Sequence, residues 1–181
     1  MRKQNKLNFS LFVGLWTTLR LIIVTTIWIW HPLWGALLNI IIDGVDGHLF
    51  ESLGVKRTTY EVYDKWLDLW FYFALFIYTI QHLQTSPLYW LLIILFIVRL
   101  LGILIFTKTN QEALLFAFPN LFEPVFLVVV GWPELFNSYG YVKVLVVIFI
   151  IKMFIEWWIH LAKFDLTSLI LGKPTRWFKK S

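Results

Sequence analysis

Apolar runs of about twenty residues recur along this chain, each closed by a polar, glycine-bearing or proline-bearing break. A helix rises about 1.5 Å per residue, so a run of that length matches a hydrocarbon core of about 30 Å. Six such runs can be drawn, over residues 11–30, 33–50, 60–82, 88–106, 112–130 and 141–162. The first ends in Trp28, Trp30, His31 and Pro32, an aromatic belt followed by a helix stop. A polar link, ESLGVKRTT, follows the second, and QHLQTSP closes the third. Pro87 then opens the fourth at a favoured first-turn position. Pro119 and Pro124 predict a kink in the fifth, and GWPELFNSYG reads as a turn-rich link before the sixth. The expectation is an all-α integral membrane protein, a single domain over residues 1–181 with six transmembrane helices and a basic tail at 163–181.

Composition agrees. The chain is 59% hydrophobic and 15% charged, with a mean hydropathy of +0.72, whereas soluble domains are about half apolar and about a quarter charged. There is too little charge to cover a soluble surface. The absence of cysteine excludes disulfide scaffolds and thiol metal sites, and 9 Gly with 6 Pro exclude collagen-like and disordered classes. Much of the net charge of +5 comes from Arg2, Lys3, Lys6, Lys173, Arg176, Lys179 and Lys180 at the two ends. That placement suits anionic lipid as a partner and not nucleic acid. Lys56, Arg57 and Lys108 fall in alternate links, so the positive-inside rule puts both termini and the 51–59 link in the cytoplasm. The basic, then apolar, N-terminus has no small-residue cleavage site and is expected to stay attached.

Ionisable groups at membrane depth are costly and mark function. Asp43, Asp46, Asp64 and Asp68 stand out, the first two three residues apart and the second two four apart, so each pair shares one helix face. The second and third helices run in opposite directions across one short link. That puts Asp46 and Asp64 near one level and Asp43 and Asp68 a turn deeper. Four facing carboxylates in low dielectric repel unless protonated or bridged by cations. A divalent metal site resolves this, and oxygen-only ligation suits Mg²⁺, Mn²⁺ or Ca²⁺. One or two ions fit this many carboxylates, and a two-ion site suits phosphoryl chemistry.

The spacing Asp43-x2-Asp46-Gly47-x2-Phe50-Glu51-x8-Tyr60-x3-Asp64-x3-Asp68 resembles the pattern D-x2-D-G-x2-A-R-x8-G-x3-D-x3-D of the CDP-alcohol phosphatidyltransferases. TTLRL at 17–21 and the VRLLG stretch around Arg99 are similar to that family's first and fourth helices, and the likeness spans residues 10–165. It implies a six-helix bundle and a phospholipid-synthesis enzyme. Such an enzyme transfers a phosphatidyl-type group from a CDP-linked lipid to a small alcohol, and the family is often homodimeric. Asp43, Asp46, Asp64 and Asp68 would hold Mg²⁺ or Mn²⁺, Asp68 would act as the base, and Gly47 and Arg99 would face the substrate. Three positions depart: Phe50 and Glu51 stand where the family has Ala-Arg, and Tyr60 where it has its second glycine. These fall on the nucleotide side of the pattern. Arg57, in the link, is the cation available to replace the missing arginine.

Other ionisable residues have plainer readings. Arg20 is expected to snorkel to the headgroups, and Lys152 with Glu156, four apart, to form an internal ion pair. Glu123, between Pro119 and Pro124, is placed to cap freed backbone groups. His31, His48, His82 and His160 show no ligand spacing. Two rival functions remain: a non-catalytic membrane interaction protein that keeps the metal but not the nucleotide, and a cation transporter. The apolar stretches at 37–42 and 69–77 argue against the transporter.

Overall fold

A computed structural model gives the fold of residues 2–109, 111 and 113–160. The basic tail expected at 163–181 lies outside these described residues. Among them the chain forms helices and no strand: α1 (Arg2–Ile29), α2 (Pro32–Ser52), α3 (Arg57–His82), α4 (Tyr89–Thr109), α5 (Leu114–Ala117), α6 (Phe122–Gly131), α7 (Glu134–Tyr139) and α8 (Tyr141–His160). By length and composition three of these can cross a membrane: the Leu11–Ile29 stretch of α1, α2, and α4. The other three of the six spans expected do not meet that measure among the described residues. α3 is long enough, but its first half carries Arg57, Glu61, Asp64, Lys65 and Asp68. The fifth run is not one kinked helix but two short ones, α5 and α6, and the turn-rich link after it contains α7.

Local chemistry sets the ends of α2. His31 has extended backbone and its Nδ1 accepts from the Leu33 N–H at 3.2 Å, while Pro32 takes the first helical position, where no N–H is required. At the far end Gly54 adopts φ 77°, a left-handed conformation that stops the helix. α3 starts at Arg57, so the turn between the two helices is shorter than the sequence suggests.

Two compact units make up the chain, one reaching Ala74 and one beginning at Leu75. In the first, α1 and α2 form an antiparallel pair. Gly35 lets the α2 backbone approach that of Ile27, Arg20 meets Asp43 two turns further on, and Phe12 meets Phe50 two turns beyond that. Thr17 Oγ1 lies 2.9 Å from the Tyr63 hydroxyl, tying α1 to α3. One register therefore carries the apolar contacts and the charged one together.

In the second unit, Phe96 stacks on Phe76 at 4.0 Å and meets Phe122 edge-on at 5.5 Å. The α5–α6 break falls at Pro119, which lacks an N–H and disfavours helix at Phe118. Side chains take up the freed backbone groups. Arg99 Nη1 donates to the Phe118 carbonyl (3.2 Å), the Asn120 N–H donates to Glu156 Oε1 (3.2 Å), and Asn120 Oδ1 accepts from the Glu123 N–H (3.4 Å). The capping role expected of Glu123 thus belongs to Asn120, whose amide donates to Glu123 at 2.8 Å. Lys152 and Glu156 form the expected ion pair at 3.4 Å.

Candidate functional site

The aspartates sit on α2 and α3 in the first unit. Their spacing in sequence puts Asp43 and Asp46 on one face of α2, and Asp64 and Asp68 on one face of α3. One oxygen each from Asp43, Asp64 and Asp68 lies within 4.8 Å of the others. Ligand oxygens sharing a Mg²⁺ or Ca²⁺ ion at 2.0–2.6 Å lie up to about 4 to 5 Å apart, so this triad fits a hard divalent cation. Asp46, expected in the same set, is outside the triad. It is fully buried, accepts a hydrogen bond from the Tyr60 hydroxyl, and faces Arg20. The Tyr60 hydroxyl also lies 3.2 Å from Asp64 Oδ1, which fits the expectation that Asp46 and Asp64 share a level.

Arg20 is the main correction. It does not snorkel: its side chain is 1% exposed, Nη2 donates to Asp43 Oδ1 at 2.6 Å, and Nη1 lies 3.4 Å from Asp46 Oδ2. Lys65 supplies a second cation, 2.7 Å from Asp64 Oδ2 and 2.8 Å from Asp68 Oδ2. Two positive charges against four carboxylates leave two negative charges, which one divalent cation balances. Asn39 was missed among the apolar residues 37–42. It is buried one turn from Asp43 on the same face of α2 and extends the polar line deeper.

Three residues were expected to bind substrate. Gly47 borders Tyr60, and a Cβ there would sit 3.4 Å from the phenol oxygen, in ordinary contact. Arg57 is not in the link but opens α3, where it pairs with Glu61 one turn on. Arg99 belongs to the second unit, at the α5–α6 break. Two of the three departures, Phe50 and Tyr60, join one ring cluster. Phe50, 2% exposed, has its centroid 4.9 Å from Tyr63, 5.5 Å from Tyr60 and 6.0 Å from Phe12. Where the family pattern has small residues, this chain builds an aromatic wall beside Asp46.

Signals for the two missed cations were present in the sequence. Lys65 is adjacent to Asp64 and three residues before Asp68, within side-chain reach on one helix. Arg20 lies deep in an apolar run facing a helix with two aspartates, and a buried charge needs a partner. No family model, no curated protein and no solved structure matches the chain.

Proposed function

We propose that this is a divalent-cation-dependent membrane transferase of the CDP-alcohol phosphatidyltransferase type. The reading is carried by one observation: oxygens of Asp43, Asp64 and Asp68 converge within 4.8 Å on two helices of a predominantly apolar chain. In this reading six segments cross the bilayer, α1 to α4, the α5–α6 pair and α8. Lys56 and Lys108 keep their links in the cytoplasm, and the termini and the aspartates face the same side. A pair of short helices at membrane depth is tolerated where side chains satisfy the broken backbone, as Arg99, Asn120 and Glu156 do.

Asp43, Asp64 and Asp68 would hold Mg²⁺ or Mn²⁺, and such an ion would supply positive charge to the diphosphate of a CDP-linked lipid. Asp68 takes the proton from the hydroxyl of a small alcohol held within hydrogen-bond reach. The new bond joins that oxygen to the lipid phosphorus, the bond from phosphorus to the CMP oxygen breaks, and CMP leaves with the electron pair. Arg20 and Lys65 fix the carboxylate orientations.

The ring cluster of Phe50, Tyr60 and Tyr63 favours a second reading, a non-catalytic membrane interaction protein that retains the cation site. Release of CMP separates the two. The purified chain is reconstituted with CDP-diacylglycerol, a panel of small alcohols, and Mg²⁺ or Mn²⁺. Release that disappears in Asp68→Asn supports the transferase. Stabilisation by the cation without release supports the second reading.

A further inference from the structure

Arg20 carries more hydrogen-bonding capacity than its neighbours use. Nη2 is bonded to Asp43, yet Nε and Nη1 are buried and have no hydrogen-bond acceptor. Asp46 Oδ2, 3.4 Å from Nη1, is likewise buried without a hydrogen bond, so this is an ion pair at a geometry that does not bond. A guanidinium holds its donors in one fixed plane suited to phosphate oxygens; with Nη2 taken by Asp43, the Nε and Nη1 edges of the fork each keep an open donor. The Asp43 carboxylate that holds this guanidinium also supplies an oxygen to the triad.

Charge decides when the fork can take an anion. Asp43, Asp46, Asp64 and Asp68 outnumber Arg20 and Lys65, so a phosphate approaching the cluster alone is repelled. A divalent cation removes that excess and leaves the open Arg20 donors beside it. We propose that Arg20 and a divalent cation on Asp43, Asp64 and Asp68 together form a phosphoryl-binding site, with Arg20 the positioning residue for a phosphate or diphosphate group. The inference rests on the cation site of the proposed function. It assigns the grip on phosphate to α1, in place of Arg57, which pairs with Glu61, and Arg99, which lies at the α5–α6 break.

A lipid headgroup and a free diphosphate share this chemistry, and the test separates them. The full chain in phosphatidylcholine nanodiscs is titrated with Mn²⁺ alone, then with inorganic pyrophosphate at saturating Mn²⁺. In a parallel arm the nanodiscs also contain phosphatidic acid. Thermal shift and calorimetry are the readouts. At least one phosphate probe is expected to bind, and only with Mn²⁺ present. Arg20→Lys, which keeps the charge but loses the fork, is expected to retain the Mn²⁺ response and to weaken probe binding at least tenfold. Binding confined to phosphatidic acid assigns the site to a headgroup, and binding confined to pyrophosphate assigns it to a soluble ligand. If Arg20→Lys does not fold, Arg20→Gln with Asp46→Asn keeps the triad, removes one charge of each sign and serves instead, with the same expectation. Unchanged probe affinity in a variant that still responds to Mn²⁺ overturns the role of Arg20. So does a Mn²⁺-loaded wild type that binds neither probe. No Mn²⁺ response in the wild type overturns the cation site itself and the inference with it.

Discussion

Gly35→Ala tests the helix pairing that brings Arg20 to the aspartates. A Cβ at this position would lie 2.6 Å from the Ile27 nitrogen and 2.8 Å from both the Ile27 Cα and the Thr26 carbonyl carbon. All three are backbone atoms, so no rotamer change relieves the overlap. Carbon atoms settle at about 3.5 to 4.0 Å, so α1 and α2 must part by about 1 Å at this crossing. Overpacking of this kind costs about 1–3 kcal/mol, against at most about 1 kcal/mol gained from the better helix propensity of alanine. The clash wins, and a chain of this size should lose about 2–4 °C of Tm per kcal/mol. The same parting strains the 2.6 Å bond from Arg20 to Asp43, two turns along the register. Gly14→Ala in α1 is the internal control, because a Cβ there meets nothing within 4 Å. It should leave Tm unchanged or raise it. Thermal unfolding of the detergent-solubilised protein, followed by circular dichroism, reads both variants. If Gly35→Ala matched Gly14→Ala, the close approach and the register argument would both be wrong.

Two further predictions follow from the site and the topology. Phe50→Ala should destabilise the fold by about 3–5 kcal/mol, since a buried ring with three aromatic neighbours is removed; where the variant folds, it should bind CMP with Mn²⁺ more tightly than wild type, and weaker binding would show that the ring cluster is not the obstacle. The chain has no cysteine, so single cysteines at Lys56 and Gln84 can be labelled without background; Lys56 should react only from the cytoplasmic side and Gln84 only from the other, and labelling of both from one side would break the six-span reading.

How much of this was legible in the sequence differs by residue. The three- and four-residue spacings of the aspartates put each pair on a helix face, and that local geometry survives in the convergence of Asp43, Asp64 and Asp68. The place of Asp46 was not legible, because it depends on a phenol from α3 and a guanidinium from α1. Arg20 was misread for a related reason. Snorkelling is a single-helix argument, whereas the close approach at Gly35 sets the register that carries Arg20 to Asp43. Pro119 announced a disturbance in the fifth run but not its size. A kink becomes a break when partners exist for the freed backbone groups, and these come from Arg99 on α4 and Glu156 on α8. The count of spans depended on where charge was tolerated. The apolar run at 60–82 includes carboxylates, and α3 is not among the helices that qualify by composition; a place for it in the bilayer would rest on neutralisation of those carboxylates by Lys65 and the proposed cation.

Direct titration of the purified chain with Mn²⁺, followed by electron paramagnetic resonance of the free ion, reads occupancy of the Asp43, Asp64 and Asp68 centre. Saturable binding of one or two ions per chain is expected, competed by Mg²⁺ and lost in Asp64→Asn, since that substitution removes a charged oxygen from the triad and leaves two carboxylates facing the site. Gly14→Ala, away from the site, should bind as wild type does. No saturable binding by the wild type, or equal binding by Asp64→Asn, would contradict a divalent-cation centre at Asp43, Asp64 and Asp68.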